Sequence, residues 1–341
     1  MKKIAALSFI LIIITGNILA GGRRQYGPKT MELPVNAELT VIESQTNPSV
    51  IEDIILEPII LIPAADITST PEMLRAEKVM RSIASAYPDR IEQVEFRNND
   101  WAILLKGVWY YYAEGKLLPE ELVENAADYR RQPFYHYDKD LPPWSEPSPE
   151  MIARYINWTA NRSSITTFRS NHLYDSIWRI SSRAEAEANM TKSLFLGKTL
   201  TVHKDIIDKL ALVEKDIIAA AKTKSAIQRW INSISKLESY NWRNIAESQN
   251  RSNHSYGLAV DIIPKSWGGK ETYWLWTTQN KKPEWWNIPY SQRYHQPEEV
   301  IKLFEKHGFI WGGKWPEYDT MHFEYRPEIL IYNDIDTYII P

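Results

Sequence analysis

The stretch SNHSYGLAVDII at 252–263 constrains the fold of this chain more than any other part. If 257–263 is a strand, Leu258, Val260 and Ile262 face one way while Gly257, Ala259 and Asp261 face the other, because side chains alternate along an extended chain. The first set is core. The second is reduced to small side chains and ends in a carboxylate, which suits a strand lining a crowded polar site. His254 lies just ahead, where the chain can fold back over the glycine and carry an imidazole toward Asp261. A later segment, DTMHFEYR at 319–326, supplies a complement: His322 and Glu324 share one strand face, Phe323 and Tyr325 take the other, and Asp319 precedes His322 by three residues.

The chain contains no cysteine. Disulfides, thiolate zinc sites, iron–sulfur clusters and cysteine nucleophiles are therefore excluded, and a metal can be held only by His, Asp or Glu. Two imidazoles and a carboxylate that converge, His254, Asp261 and His322, match a catalytic Zn2+ site with three protein ligands and one open position. Zinc in such a site lowers the pKa of its water to about 7 and polarises a carbonyl, while a nearby carboxylate takes the proton. Asp319 and Glu324 are both close enough in sequence to be that carboxylate, and Glu324 could instead support a ligand from behind. Ser252 suits orientation of the loop or of a ligand better than nucleophilic attack.

Other features carry less. His136, His172, His203, His295 and His307 read as ordinary surface or core residues. Trp267, Trp274, Trp276, Trp285 and Trp286 fit either a platform for a sugar or peptide chain or simple packing. Ser233 and Lys236 spell the SxxK pair of penicillin-binding enzymes, but no supporting SDN or KTG accompanies them. With 40 basic against 43 acidic residues and no basic stripe, there is no electrostatic case for nucleic acid.

Upstream, MKKIAALSFILIIITGNILA at 1–20 reads as a secretory signal, two lysines followed by an apolar run too short for a membrane anchor, with cleavage expected after Ala20. Residues 21–70 read as a tether. Thr70 caps an expected helix that begins at Pro71, and IEQVEF, WAILL and VWYYY follow as a meander, filling 71–145. Helical periodicity dominates 146–236, most clearly through Ile206, Leu210, Val213, Ile217 and Ala221 behind an expected Asp205 cap. In 237–335, Pro297 opens a helix whose Val300, Leu303, Phe304 and His307 share a face and whose end is marked by Gly308.

Ser252, His254, Gly257, Ala259 and Asp261, followed by Asp319 and His322 with WGGKW just ahead, resemble the zinc peptidases that include D-alanyl-D-alanine carboxypeptidases and L-alanyl-D-glutamate endopeptidases, whose fold the Hedgehog signalling domain shares. The resemblance covers about 237–327. It implies zinc on His254, Asp261 and His322, Asp319 as general base where many members have glutamate, and Arg243, within YNWR, as a substrate-binding arginine.

The expected fold is therefore α+β: a small antiparallel or mixed sheet carrying the zinc site, covered by helices and preceded by a helix, a meander and a helical region. The expected function is an exported zinc metallopeptidase, periplasmic or otherwise in the cell envelope, whose partner is the peptidoglycan stem peptide. Any membrane contact would come only through an uncleaved signal. Release of terminal D-alanine leads; an L-alanyl-D-glutamate-type endopeptidase and a non-catalytic zinc-bearing binding module are the alternatives.

Overall fold

Thr70 does cap the first helix. Its hydroxyl accepts a hydrogen bond from the Met73 N–H at 3.2 Å, and α1 (Pro71–Ala86) opens on proline, whose missing N–H costs nothing in a first turn. The protein is described by a computed structural model covering residues 70–280 and 282–338. The expected signal at 1–20 and the tether up to residue 69 lie outside the described residues. Among the described residues, no helix is long and apolar enough to cross a membrane.

The meander follows as β1 (Gln93–Arg97), β2 (Asp100–Leu105), β3 (Val108–Tyr111) and β4 (Leu118–Pro119), an antiparallel sheet in that order. Asn98 and Asn99 both take positive φ in the β1–β2 turn, the twist a tight hairpin requires. A two-residue strand β5 (Tyr129–Arg130) then pairs in parallel with a distant one, β6 (Phe168–Arg169), across α2 (Pro149–Asn161).

The stretch expected to be helical is mixed. It holds α3 (His172–Trp178) and α4 (Arg183–Asn189), then an antiparallel hairpin, β7 (Met190–Phe195) and β8 (Lys198–His203), then α5 (Ile207–Ala221) and α6 (Ser225–Ser233). The hairpin turns at Leu196 and Gly197, both at positive φ. Asp205 is not the cap of α5. It sits in a single 3-10 turn, and its carboxylate is taken by Arg90 at 2.7 Å and by Arg179. Two guanidiniums outbid one backbone N–H for a carboxylate.

The last part forms the sheet that matters here, antiparallel in the order β11 (Phe309–Trp311), β12 (His322–Tyr325), β10 (Ala259–Pro264), β9 (Ile234–Glu238). Alternation works as expected: Val260, Ile262 and Phe323 are fully buried on the core face, where α8 (Glu298–Lys306) lays Phe304 on Phe323 with ring centroids 4.0 Å apart. The short α7 (Trp274–Gln279) precedes α8, and α9 (Pro327–Tyr332) follows β12 and packs on α1. One core runs from Ala76 through Ile103, Val213 and Val260 to Ile335. The fold is α+β, as expected.

One boundary differs. Gly257 lies outside β10, at φ +66° at the end of a 3-10 turn, Asn253–Tyr256. A Cβ there would collide with Met190 and stand 2.6 Å from the His203 nitrogen, so glycine is required for the turn and for the close approach of β8.

Candidate metal centre

The antiparallel register sets Asp261 of β10 directly opposite His322 of β12, and Ala259 opposite Glu324. Directly opposed residues share a sheet face, so His322, Glu324 and Asp261 crowd together and the alanine leaves room for the glutamate. His254 enters from the 3-10 turn. The Ser252 hydroxyl accepts from the His254 N–H at 3.3 Å, and Ser255 Oγ exchanges hydrogen bonds with the Arg243 backbone. Ser252 therefore acts as a cap that aims the turn, and it touches no acid–base partner.

The ring geometry fixes which nitrogens are free. His254 Nδ1 donates to the Ser239 carbonyl at 2.6 Å, which turns Nε2 toward the centre, 3.3 Å from Asp261 Oδ2. His322 Nδ1 lies 2.8 Å from Asp261 Oδ1, and its Nε2 lies 3.1 Å from Glu324 Oε2. Ligand atoms of His254, Asp261 and His322 all fall within 4.8 Å of one another. The donor set fits zinc: one imidazole oriented by a carbonyl at its far nitrogen, one carboxylate, and a second imidazole whose far nitrogen has a carboxylate to receive its proton.

Without a cation the cluster is an ion-pair chain. Burial opposes charge on His322, yet hydrogen bonds and charge from Asp261 and Glu324 raise its pKa well above the ordinary value. Burial likewise works against ionised Asp261, but the two imidazoles hold its carboxyl well below the usual range. Glu324 is drawn down to about 2 against its own burial, by the hydrogen bond and charge of His322, by the charge of Arg326 and by the Asn253 amide, which donates to it at 2.6 Å. Glu324 thus supports His322 from behind.

Asp319 lies elsewhere around the same centre. Its backbone bridges Tyr273, its N–H donates to the Gly312 carbonyl at 3.0 Å, and its carbonyl accepts from the His322 N–H at 3.3 Å. A Cβ on Gly312 would stand 2.6 Å from the Asp319 carbonyl oxygen, which accounts for the first glycine of WGGKW. Asp319 Oδ1 is buried and has no hydrogen-bond partner. Burial pushes its pKa up to about 7; the charge of His322, the Met321 backbone N–H and Arg243 draw it down, and Asp261 adds to the rise. An ionisable oxygen sealed from water and without a hydrogen-bond donor among the described residues suits a cation or a cation-bound water. Arg243 is exposed, makes no ion pair among the described residues, and reaches only the Asn244 carbonyl, at 3.3 Å. Its charge nonetheless acts on both Asp319 and Tyr273.

Residues 246–325 match the family model described as D-alanyl-D-alanine carboxypeptidase. The match supports that peptidase family for this segment. The segment contains the three metal-binding candidates together with Ser252, Asp319 and Glu324, while Arg243 falls just before it. A peptidase is a hydrolase, and a His–Asp–His group able to hold a metal is consistent with zinc dependence in this family segment. Residues 79–134, which include β1 to β4, match a domain of unknown function. No solved structure matches the chain.

Pattern reading missed several participants. Asn253 and Arg326 hold Glu324, Trp315 packs on His322 with centroids 5.5 Å apart, and Tyr273 stands beside Asp319 with its pKa raised to about 12, by burial first and then by the Asp319 charge. Only Asn253 carried a signal, as an amide between Ser252 and His254. The tryptophan cluster serves mainly packing: Trp274, Trp285 and Trp286 are buried against Tyr155 and Trp158, whereas Trp276 is exposed. Ser233 Oγ donates to the Trp230 carbonyl and Lys236 pairs with Glu238, so the SxxK residues do not meet. The other histidines each have an ordinary partner, among them Asp138 for His136 and Asp216 for His307.

Proposed function

We propose that this protein is an exported zinc metallopeptidase that hydrolyses a peptide bond of the peptidoglycan stem, with release of terminal D-alanine as the leading reaction. One observation carries the reading: His254 Nε2, Asp261 and His322 Nδ1 converge, and Asp319, near enough for the charges of His322 and Asp261 to act on it, has a buried oxygen with no hydrogen-bond partner among the described residues. His254, Asp261 and His322 would hold Zn2+, which supplies Lewis acidity and a water acidic enough to be a nucleophile at neutral pH. Asp319 Oδ1 accepts the proton from the attacking water and returns it to the leaving amine. Glu324 holds His322 by its Nε2–H so that Nδ1 faces the centre. Arg243, exposed and without an ion pair among the described residues, receives a substrate carboxylate or the developing oxyanion. Asp319 favours an enzyme over a binding module, since a structural metal site needs no base. Export rests on the character of residues 1–20 alone.

Mass spectrometry of stem-peptide fragments incubated with the zinc-loaded protein tests the reading. Loss of one terminal alanine is expected. A cut between the first two residues would instead assign an L-alanyl-D-glutamate endopeptidase, and intact peptides would leave the binding module.

A further inference from the structure

A cavity of about 440 Å³ adjoins the metal centre without containing its ligands. Two walls are shared: Glu324, which hydrogen-bonds His322, and Trp315, whose ring packs on it. The rest comes largely from residues outside the peptidase match, including Tyr135, Arg169 and Tyr174. The volume lies in the range of small-ligand sites.

One of its charges lacks a direct partner among the described residues. Arg326 is committed to Glu328 and to Tyr174, and Arg251 to Asp175. Arg169 has no such partner: its side chain makes no hydrogen bond or ion pair among the described residues, and its Nε is sealed from solvent. Directly opposite it in the parallel β5–β6 pairing stands Arg130, which also lacks an ion pair among the described residues. Like charges set opposite one another in a ladder destabilise it, and a largely desolvated guanidinium without a direct ion pair adds to that cost. Burial brings the Arg169 pKa down to about 10, which leaves it charged at neutral pH, with Arg130 and Arg326 acting in the same direction and Tyr135 and Glu324 opposing them. Of the two acids in the lining, Glu324 is held by His322, Asn253 and Arg326, and Glu317 pairs with neither Arg130 nor Arg169.

We propose that this cavity is a second ligand site, which takes the carboxylate of a peptide end or acidic side chain on Arg169, with the charge of Arg130 acting from the facing strand. A carboxylate fits better than a phosphate, because a second negative charge would face Glu317 and Glu324. The aromatic walls accept the apolar body that carries the carboxylate. The site requires nothing of the chemistry at the metal.

Calorimetric titration of the full chain with N-acetyl-dialanine and with its C-terminal amide tests this. The acid should bind at least about tenfold more tightly than the amide, the usual worth of a charge-assisted pair. Arg169→Gln should remove that preference and Arg130→Gln should weaken it, whereas His254→Ala, which disables the metal centre, should leave it intact. Equal affinity for acid and amide, or no binding of either, overturns the proposal. So does a preference that survives Arg169→Gln but is lost in His254→Ala, since the carboxylate then sits on the metal. Without probe, Arg169→Gln should melt no lower than the parent protein; a clear drop shows that the guanidinium is matched inside the protein and also overturns it.

Discussion

Asp319 and Glu324 flank His322 in sequence, yet the structure gives them opposite environments. Glu324 is drawn down to about 2 and tied to three donors, whereas Asp319 is buried, its pKa is pushed up to about 7, and its Oδ1 has no hydrogen-bond partner among the described residues. Asp319→Asn should keep zinc and lose about 10²-fold or more in turnover, the usual worth of a positioned base. Glu324→Gln should cost less turnover and weaken zinc retention; zinc analysis and kinetics on the two proteins separate the roles. In the metal-free protein, Asp319 has a folded pKa above its ordinary 3.8. It therefore binds more protons folded than unfolded, and its contribution to stability falls as pH rises from about 4 to about 7. Asp319→Asn should accordingly raise the melting temperature of the zinc-free protein at pH 8 and do little at pH 4. His322 gives the converse signature on metal uptake. Its raised pKa keeps it protonated at neutral pH, so zinc loading should release about one proton there and weaken as pH falls. Titration in buffers of different ionisation heat measures that proton. Arg243→Lys should impair turnover or substrate affinity while zinc stays bound, because lysine cannot form a bidentate pair; unchanged kinetics would remove Arg243 from the site.

At the scale of the element, the 3-10 turn before β10 matters most. It carries His254, is capped by Ser252, and ends at Gly257 with β8 packed against it. Gly257→Ala combines an unfavourable positive φ with a collision at the His203 nitrogen, and should cost about 1–3 kcal/mol. Because the shift is transmitted to His254, zinc retention after dialysis should fall as well. Normal zinc content would show that the turn is not what positions the ligand. The β7–β8 hairpin thus serves the site indirectly: the His203 N–H donates to the Gly257 carbonyl at 3.0 Å. Its alternation in KTLTVH was legible in the sequence, but the strong helical periodicity of α5 beside it dominated the reading of that region.

At the scale of the molecule, the peptidase segment does not own its core. α9 follows β12 and rests on α1, with Tyr87 donating to Glu328 at 2.8 Å and Arg75 to Tyr332 at 3.0 Å. Val79 and Ile83 of α1 share one cluster with Ile329 and Leu330. A chain trimmed to 237–338 would expose that surface and leave Glu328 buried without its phenol, so it should not fold cooperatively; circular dichroism and thermal unfolding check this. The sequence by itself singled out the candidate metal ligands and the strand faces, because alternation and short spacing are local properties that composition in a cysteine-free chain leaves few ways to satisfy, and the family resemblance added Asp319 as the candidate base. Only the tertiary structure decided that Gly257 closes a turn, that Asp205 serves two arginines, that Glu324 is bound while Asp319 Oδ1 is free, and that Arg169 reaches a cavity beside His322. Each of those depends on partners brought from far along the chain, and a residue's pKa, pairing and burial are set by such neighbours rather than by the residues on either side of it.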